Sequence, residues 1–146
     1  MLHALLSPEL QAWATGFPVA LLHAGVALLI LAAAAALHIL ITARRELHLI
    51  GDGNLAAGIS LGSVLAGLAI PMGAAITASA SMVDIAIWGI STLLAQLAVF
   101  RLIDLLLHDL PQRVRRGEVA AATVLAGARI GAALILAAAV GPSAAG

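Results

Sequence analysis

Three side chains carry charge where charge is expensive: Arg101 and Asp104, one helical turn apart, and Arg129. Each lies inside a long apolar run, and a charge near the centre of a membrane helix costs at least about 2.5–3.5 kcal/mol on insertion scales. A carboxylate and two guanidiniums placed this way can form a buried ion network that fixes helix register, or they can line a polar path for an ion or small charged solute. With the inner boundary near His108 and Glu118, a rise of about 1.5 Å per residue puts the α carbons about 6 Å deep for Asp104, about 10 Å for Arg101 and about 16 Å for Arg129. Helix side chains lean toward their own amino terminus, so Asp104 and Arg129, on antiparallel helices, lean toward each other. The expectation is an Arg129–Asp104 pair, with Arg101 completing a cluster of formal charge plus one. His38, at a depth similar to Asp104, and Gln96, near mid-membrane, are the other polar candidates. A membrane histidine can relay protons, or it can be a hydrogen-bonded packing residue.

The elements that must position these groups follow from composition. The chain has 146 residues, 63% of them hydrophobic and 10% charged, with a mean hydropathy of +1.14, which excludes an ordinary soluble domain. Apolar blocks at 17–42, 54–78, 84–108 and 118–141 are each long enough to cross a hydrocarbon core. The fold class is therefore an all-α membrane protein with four transmembrane helices, and no segment is left for a soluble domain with its own core. All seven basic residues are arginines, and five of them, Arg44, Arg45, Arg113, Arg115 and Arg116, fall in the two loops at 43–53 and 109–117. The positive-inside rule puts those loops in the cytoplasm and both termini outside. Residues 1–16 lack the features of a secretory signal and read as an outer-face leader with a short interfacial helix beginning at Ser7-Pro8-Glu9.

A 64-residue offset superimposes Gly53 on Gly117, Ala56-Ala57 on Ala120-Ala121, Leu61 on Leu125 and Gly67 on Gly131, and it brings both basic loops and all four spans into register. This implies a duplicated helical hairpin, 17–78 and 79–146, as a parallel repeat about a pseudo-twofold axis along the membrane normal. Small residues at four-residue spacing, Gly58 with Gly62 and Gly127 with Gly131, together with Gly67, predict close packing between spans two and four. Pro71 predicts a bend in span two. Asn54, Asp84 and Glu118 fit helix amino termini, where a cap or an acid is favoured. Arg129 lies roughly opposite Gly127 and Gly131 around its helix, so span four needs two protein-covered faces. A homo-oligomer would supply the second.

The spaced pattern Gly53 to Gly58, Gly62, Gly67, Ile70-Pro71, Asp84, Trp88-Gly89, Gln96, Gly117 to Ala122 and Gly127 resembles the YjfL-type family of bacterial inner-membrane proteins, domain of unknown function 350, over about residues 20–141. The resemblance implies a bacterial inner-membrane location and four spans but no mechanism. It also implies physiological company that includes membrane-stress proteins like PspA. Where relatives tend to carry Asn before the second Ala-Ala pair, this chain has Glu118.

No metalloprotease, serine-hydrolase or phosphate-loop motif is present, and without cysteine there is no thiolate ligand or nucleophile. The reading is not an enzyme, with no cofactor, no metal site and no nucleic-acid partner. It is a small homo-oligomeric channel or permeation component. The alternative is a structural membrane-maintenance component whose basic loops contact anionic lipid or recruit a peripheral partner.

Overall fold

The computed structural model describes residues 7–144. It is helical almost throughout: α1 (Pro8–His38), a π-helical turn (Ile39–Ala43), α2 (Arg44–Gly51), α3 (Leu55–Ala78), α4 (Met82–Leu106), α5 (Leu110–Arg115) and α6 (Val119–Ala144). Four stretches are long and apolar enough to cross a membrane: Pro8–Thr42, Leu55–Ala78, Met82–Leu106 and Val119–Gly141. This is a multi-pass membrane protein. At about 1.5 Å per residue the 35-residue first stretch is about 52 Å long, well beyond a hydrocarbon core of about 30 Å. Among the described residues no break separates the expected leader helix from span one, and residues 1–6 of that leader lie outside them. The Ser7 hydroxyl accepts from the Leu10 amide, and the helix then runs on through Pro18.

The loop expected at 43–53 is mostly helix, because α2 continues α1 through the π turn. Both turns at the arginine-bearing end close in the same way. Gly53 at φ +85° and Gly117 at φ +88° take the left-handed conformation that glycine adopts at low cost. The Gly53 and Asn54 amides donate to the carbonyls of Ile50 and Leu49, and the Gly117 and Glu118 amides donate to those of Val114 and Arg113. These are paired Schellman closures, each followed directly by a membrane helix. Every donor and acceptor in the second lies 64 residues after its counterpart in the first.

Helix α3 is the hub. It packs most extensively on α6 and also meets α1 and α4, while α1 lies against α4 and makes little or no contact with α6. This arrangement corrects the expected twofold axis. A twofold would require equivalent faces of α3 and α6 to meet. Ser60 bonds Arg129 across that contact, yet the residues at the matching positions, Val124 and Leu65, are 57% and 44% exposed. The second hairpin instead lies beside the first, as if shifted sideways. One apolar cluster joins Ala27, Ala34, Val64, Leu68, Met72, Ile85, Leu93 and Phe100 near the middle of the bundle. A second, Ala56, Val114, Ala121, Ala122 and Leu125, closes the end that carries the turns.

Candidate functional site

Arg129 is 2% exposed, the largest fully buried side chain among the described residues. Its Nη2 donates to Asp104 Oδ1 at 2.8 Å, and its Nη1 donates to the Ser60 hydroxyl at 3.0 Å and to the Ser60 carbonyl at 3.2 Å. The guanidinium carbon stands 5.8 Å from the centre of the Phe100 ring, within cation–π range. Ser60 in turn donates weakly to Glu46 Oε2 at 3.5 Å. The result is a seam from Glu46 at the turn-bearing end, through Ser60, to Arg129 and Asp104 inside the bundle. Burial holds the Glu46 carboxyl above its ordinary pKa of 4.5, against the pull of Arg129.

The pairing of Arg129 with Asp104 follows the sequence expectation; the position of Arg101 does not. Arg101 is exposed and makes no hydrogen bond or ion pair among the described residues, so the three-membered cluster is corrected to a pair. Asp104 points to α6, whereas Arg101, three residues earlier and 60° away around the helix, lines the groove between α1 and α4. His38 is 4% exposed and lines that groove too, with its ring edge-on to Phe100 at 6.0 Å. Gln96 is fully buried one turn from Phe100 on the same face of α4, and neither atom of its amide has a partner. Ser60 and Glu46 were missed by sequence reasoning. Ser60 sits where α3 faces α6, and Glu46 lies among arginines in a segment read as loop.

The glycine pairs are placed differently from expectation. A methyl group at Gly58, Gly62, Gly127 or Gly131 would meet no atom within 4 Å, so these residues do not make the α3–α6 contact. Ala56, Ser60, Gly67, Ala121, Ala122 and Leu125 make it. The reason is angular. Two residues along a helix is a turn of 200°, so once Ser60 and Arg129 face each other the flanking glycines must face away. Sheltering a charge outranks glycine packing. Of the glycines expected at this contact only Gly67 is tight: a methyl group there would lie 2.8 Å from Phe100 Cζ and 3.6 Å from the Arg129 carbonyl. Helix α3 continues through the buried Pro71.

At the termini, Asn54 Oδ1 caps α3 by accepting from the Ala57 amide, and its Nδ2 donates to the Arg115 carbonyl at 3.3 Å, tying the two turns together. The cap of α4 is Ser81, not Asp84. The Ser81 hydroxyl accepts from the Asp84 amide and donates to the Asp84 carboxylate. Glu118 stands at the start of α6, but its carboxylate is taken by Arg113 at 2.7 Å. Arg44, Arg45, Arg113, Arg115 and Arg116 are all exposed at the turn-bearing end. Among the described residues no group of three metal-ligating side chains is found.

The decisive comparison is with a family model that covers residues 12–140. The chain belongs to the family described as Domain of Unknown Function (DUF350). No curated protein and no solved structure matches it. Within a DUF350 chain, then, the polar seam and the exposed arginines are the features from which a function must be argued.

Proposed function

We propose that this DUF350 chain is a subunit of a homo-oligomeric channel or permeation component for an ion or small charged solute. We place it in the bacterial inner membrane, with the basic turns in the cytoplasm and both termini outside. The observation that carries the reading is the polar seam of Glu46, Ser60, Arg129 and Asp104, with unpaired donors at Arg129 Nε and Gln96 Nε2. Intramembrane ionisable groups facing a bundle interior mark ion and solute pathways, and buried polar atoms without partners call for water or a solute to satisfy them. His38 and Arg101 border the adjoining groove. The two hairpins read as a duplication, given the matching Schellman closures. The outward Gly127–Gly131 face of α6 offers a second copy close backbone approach.

Reconstitution into liposomes tests this. The wild type should dissipate an imposed ion gradient, and Gln96→Leu and Asp104→Asn should change the rate. Absence of flux for every ion under any gradient or voltage would reject the proposal.

A second reading, a membrane-maintenance component that recruits a peripheral PspA-like partner, draws support from five exposed arginines on one end held together by the Asn54–Arg115 bond. It requires that neutralising Arg113, Arg115 and Arg116 abolish recruitment while permeability stays unchanged.

A further inference from the structure

Arg101 is a charge without a counter-charge. It stands five residues from the end of the third span, about 7–8 Å along the axis. Asp104, one turn along the same helix, is engaged by Arg129, and among the described residues Arg101 makes no ion pair or hydrogen bond. A lone guanidinium at that depth must find an anion or water outside the chain. Its surroundings restrict which.

Arg101 lines a cavity of about 230 Å³ between α1 and α4, together with His38, Thr42 and Ala98. The imidazole of His38, though 96% buried, makes no hydrogen bond, and the Thr42 hydroxyl is buried without a partner. Thr42 lies in the π-helical turn, the rare helix form that recurs at functional sites. Three polar groups that can donate hydrogen bonds therefore converge, unsatisfied, at the turn-bearing end of one groove. Away from that end the groove becomes wholly apolar. Leu37, Leu94 and Leu97 pass from this cavity into a second of about 360 Å³, which is lined further by Leu29, Ile30 and Leu93.

An unpaired cation above a channel of leucines is the complement of an anionic amphiphile. We propose that the α1–α4 groove binds an anionic phospholipid, its phosphate held by Arg101 with His38 and Thr42 and one acyl chain lying along Leu94, Leu97, Ile30 and Leu29. Basic pockets between transmembrane helices recognise headgroups in this way, and a long arginine side chain can extend toward the interface to meet one. The site does not use the Arg129–Asp104 pair: Arg101 lines the α1–α4 groove, whereas Asp104, 60° further around α4, turns to α6.

Native mass spectrometry of the detergent-purified full chain tests it, using phosphatidylglycerol and phosphatidylcholine with identical acyl chains as probes. Phosphatidylglycerol should remain bound in preference to phosphatidylcholine. Arg101→Gln should lower its occupancy about five-fold, one arginine's share of headgroup attraction, and Arg101→Lys should restore most of it. Leu94→Trp, which fills the groove and leaves the charge in place, should lower binding of both lipids. Arg116→Gln, an exposed turn arginine, should change nothing. Equal binding of the two lipids, unchanged binding in Arg101→Gln, displacement of the lipid by inorganic phosphate alone, or cross-linking of Arg101 to an acid of a second copy would each overturn the proposal. A folded Arg101→Lys and Leu94→Trp pair keeps the test intact if Arg101→Gln does not purify.

Discussion

The two hairpins share a turn but differ in everything leading into it. In the first, α1 passes through a π turn straight into α2, and the helix stays unbroken from Pro8 to Gly51. In the second, α4 stops at Leu106 and restarts at Leu110. Proline explains the difference. Pro111, which takes the place of Leu47 at the 64-residue offset, has no amide to give the Leu107 carbonyl, and it stands in the first turn of α5, where a missing donor costs least. The Schellman closures nonetheless coincide, so the turn geometry is set by Gly53 and Gly117 and not by the helix that precedes them.

Polar content divides along the same line. Arg101, Asp104 and Arg129 all belong to the second hairpin, where the first has Leu37, Leu40 and Leu65. The first hairpin answers with Ser60 and Glu46. The second hairpin brings the three charges and pairs two of them itself, Arg129 with Asp104, while the first adds Ser60 to the shelter of Arg129. This requires unlike faces to meet, and a sideways relation provides that while a twofold does not. The burial of the spans agrees: half of the apolar window of span two is buried inside the chain, against 11% for span one.

The strongest way to break this complementarity is to strand its central charge. Asp104→Leu should destabilise the fold by about 3–5 kcal/mol, the usual cost of leaving one member of a buried pair alone. The double variant Asp104→Leu/Arg129→Leu should recover most of the loss, as read by reversible unfolding in mixed micelles. Failure of the second change to rescue would mean the pair is not the dominant contact there.

Gly67→Ala comes next. It must push back the Phe100 ring that borders Arg129, for about 1–3 kcal/mol, whereas Gly127→Ala should leave subunit stability unchanged because nothing lies within 4 Å of it. Equal effects at the two glycines would contradict the face assignment. If Gly127→Ala alters only the oligomeric state seen by cross-linking, the outward face is an interface between copies.

Asn54→Ala removes a helix cap and the bond between the turns, for about 1 kcal/mol. Glu118→Ala breaks a half-exposed ion pair and should cost less, between about 0 and 1 kcal/mol. Thermal unfolding of both variants measures the asymmetry at the matching position.

The smallest effect concerns Glu46. Its folded pKa lies above 4.5 because of burial, so the native state binds its proton more tightly than the unfolded chain does. Stability should therefore fall as pH rises from about 4.5 through the raised value, and Glu46→Gln should remove that slope. A slope that persists in Glu46→Gln would assign it to another group.

Legibility of the site followed the same physics. The Arg129–Asp104 pair could be read from depth and lean alone, because both depend on helix rise and the direction of the Cα–Cβ bond. Arg101 and the glycine pairs could not. Their fate depends on which way α4 and α6 are rotated, and that rotation is settled by the helix that covers Arg129. Ser60 carried no periodic signal. It matters because it stands opposite a charge 69 residues later in the chain.

Four crossings and an arginine-rich end could be read from the chain, since apolar run length and charge placement are local properties. That the hairpins lie side by side, that the Gly58–Gly62 and Gly127–Gly131 pairs turn away from the α3–α6 contact, and that one arginine is sheltered while another looks into a groove emerges only from the packed bundle. Those outcomes depend on the rotation of each helix about its axis, which no single segment encodes and which the cost of a buried charge fixes only when the other helices are in place.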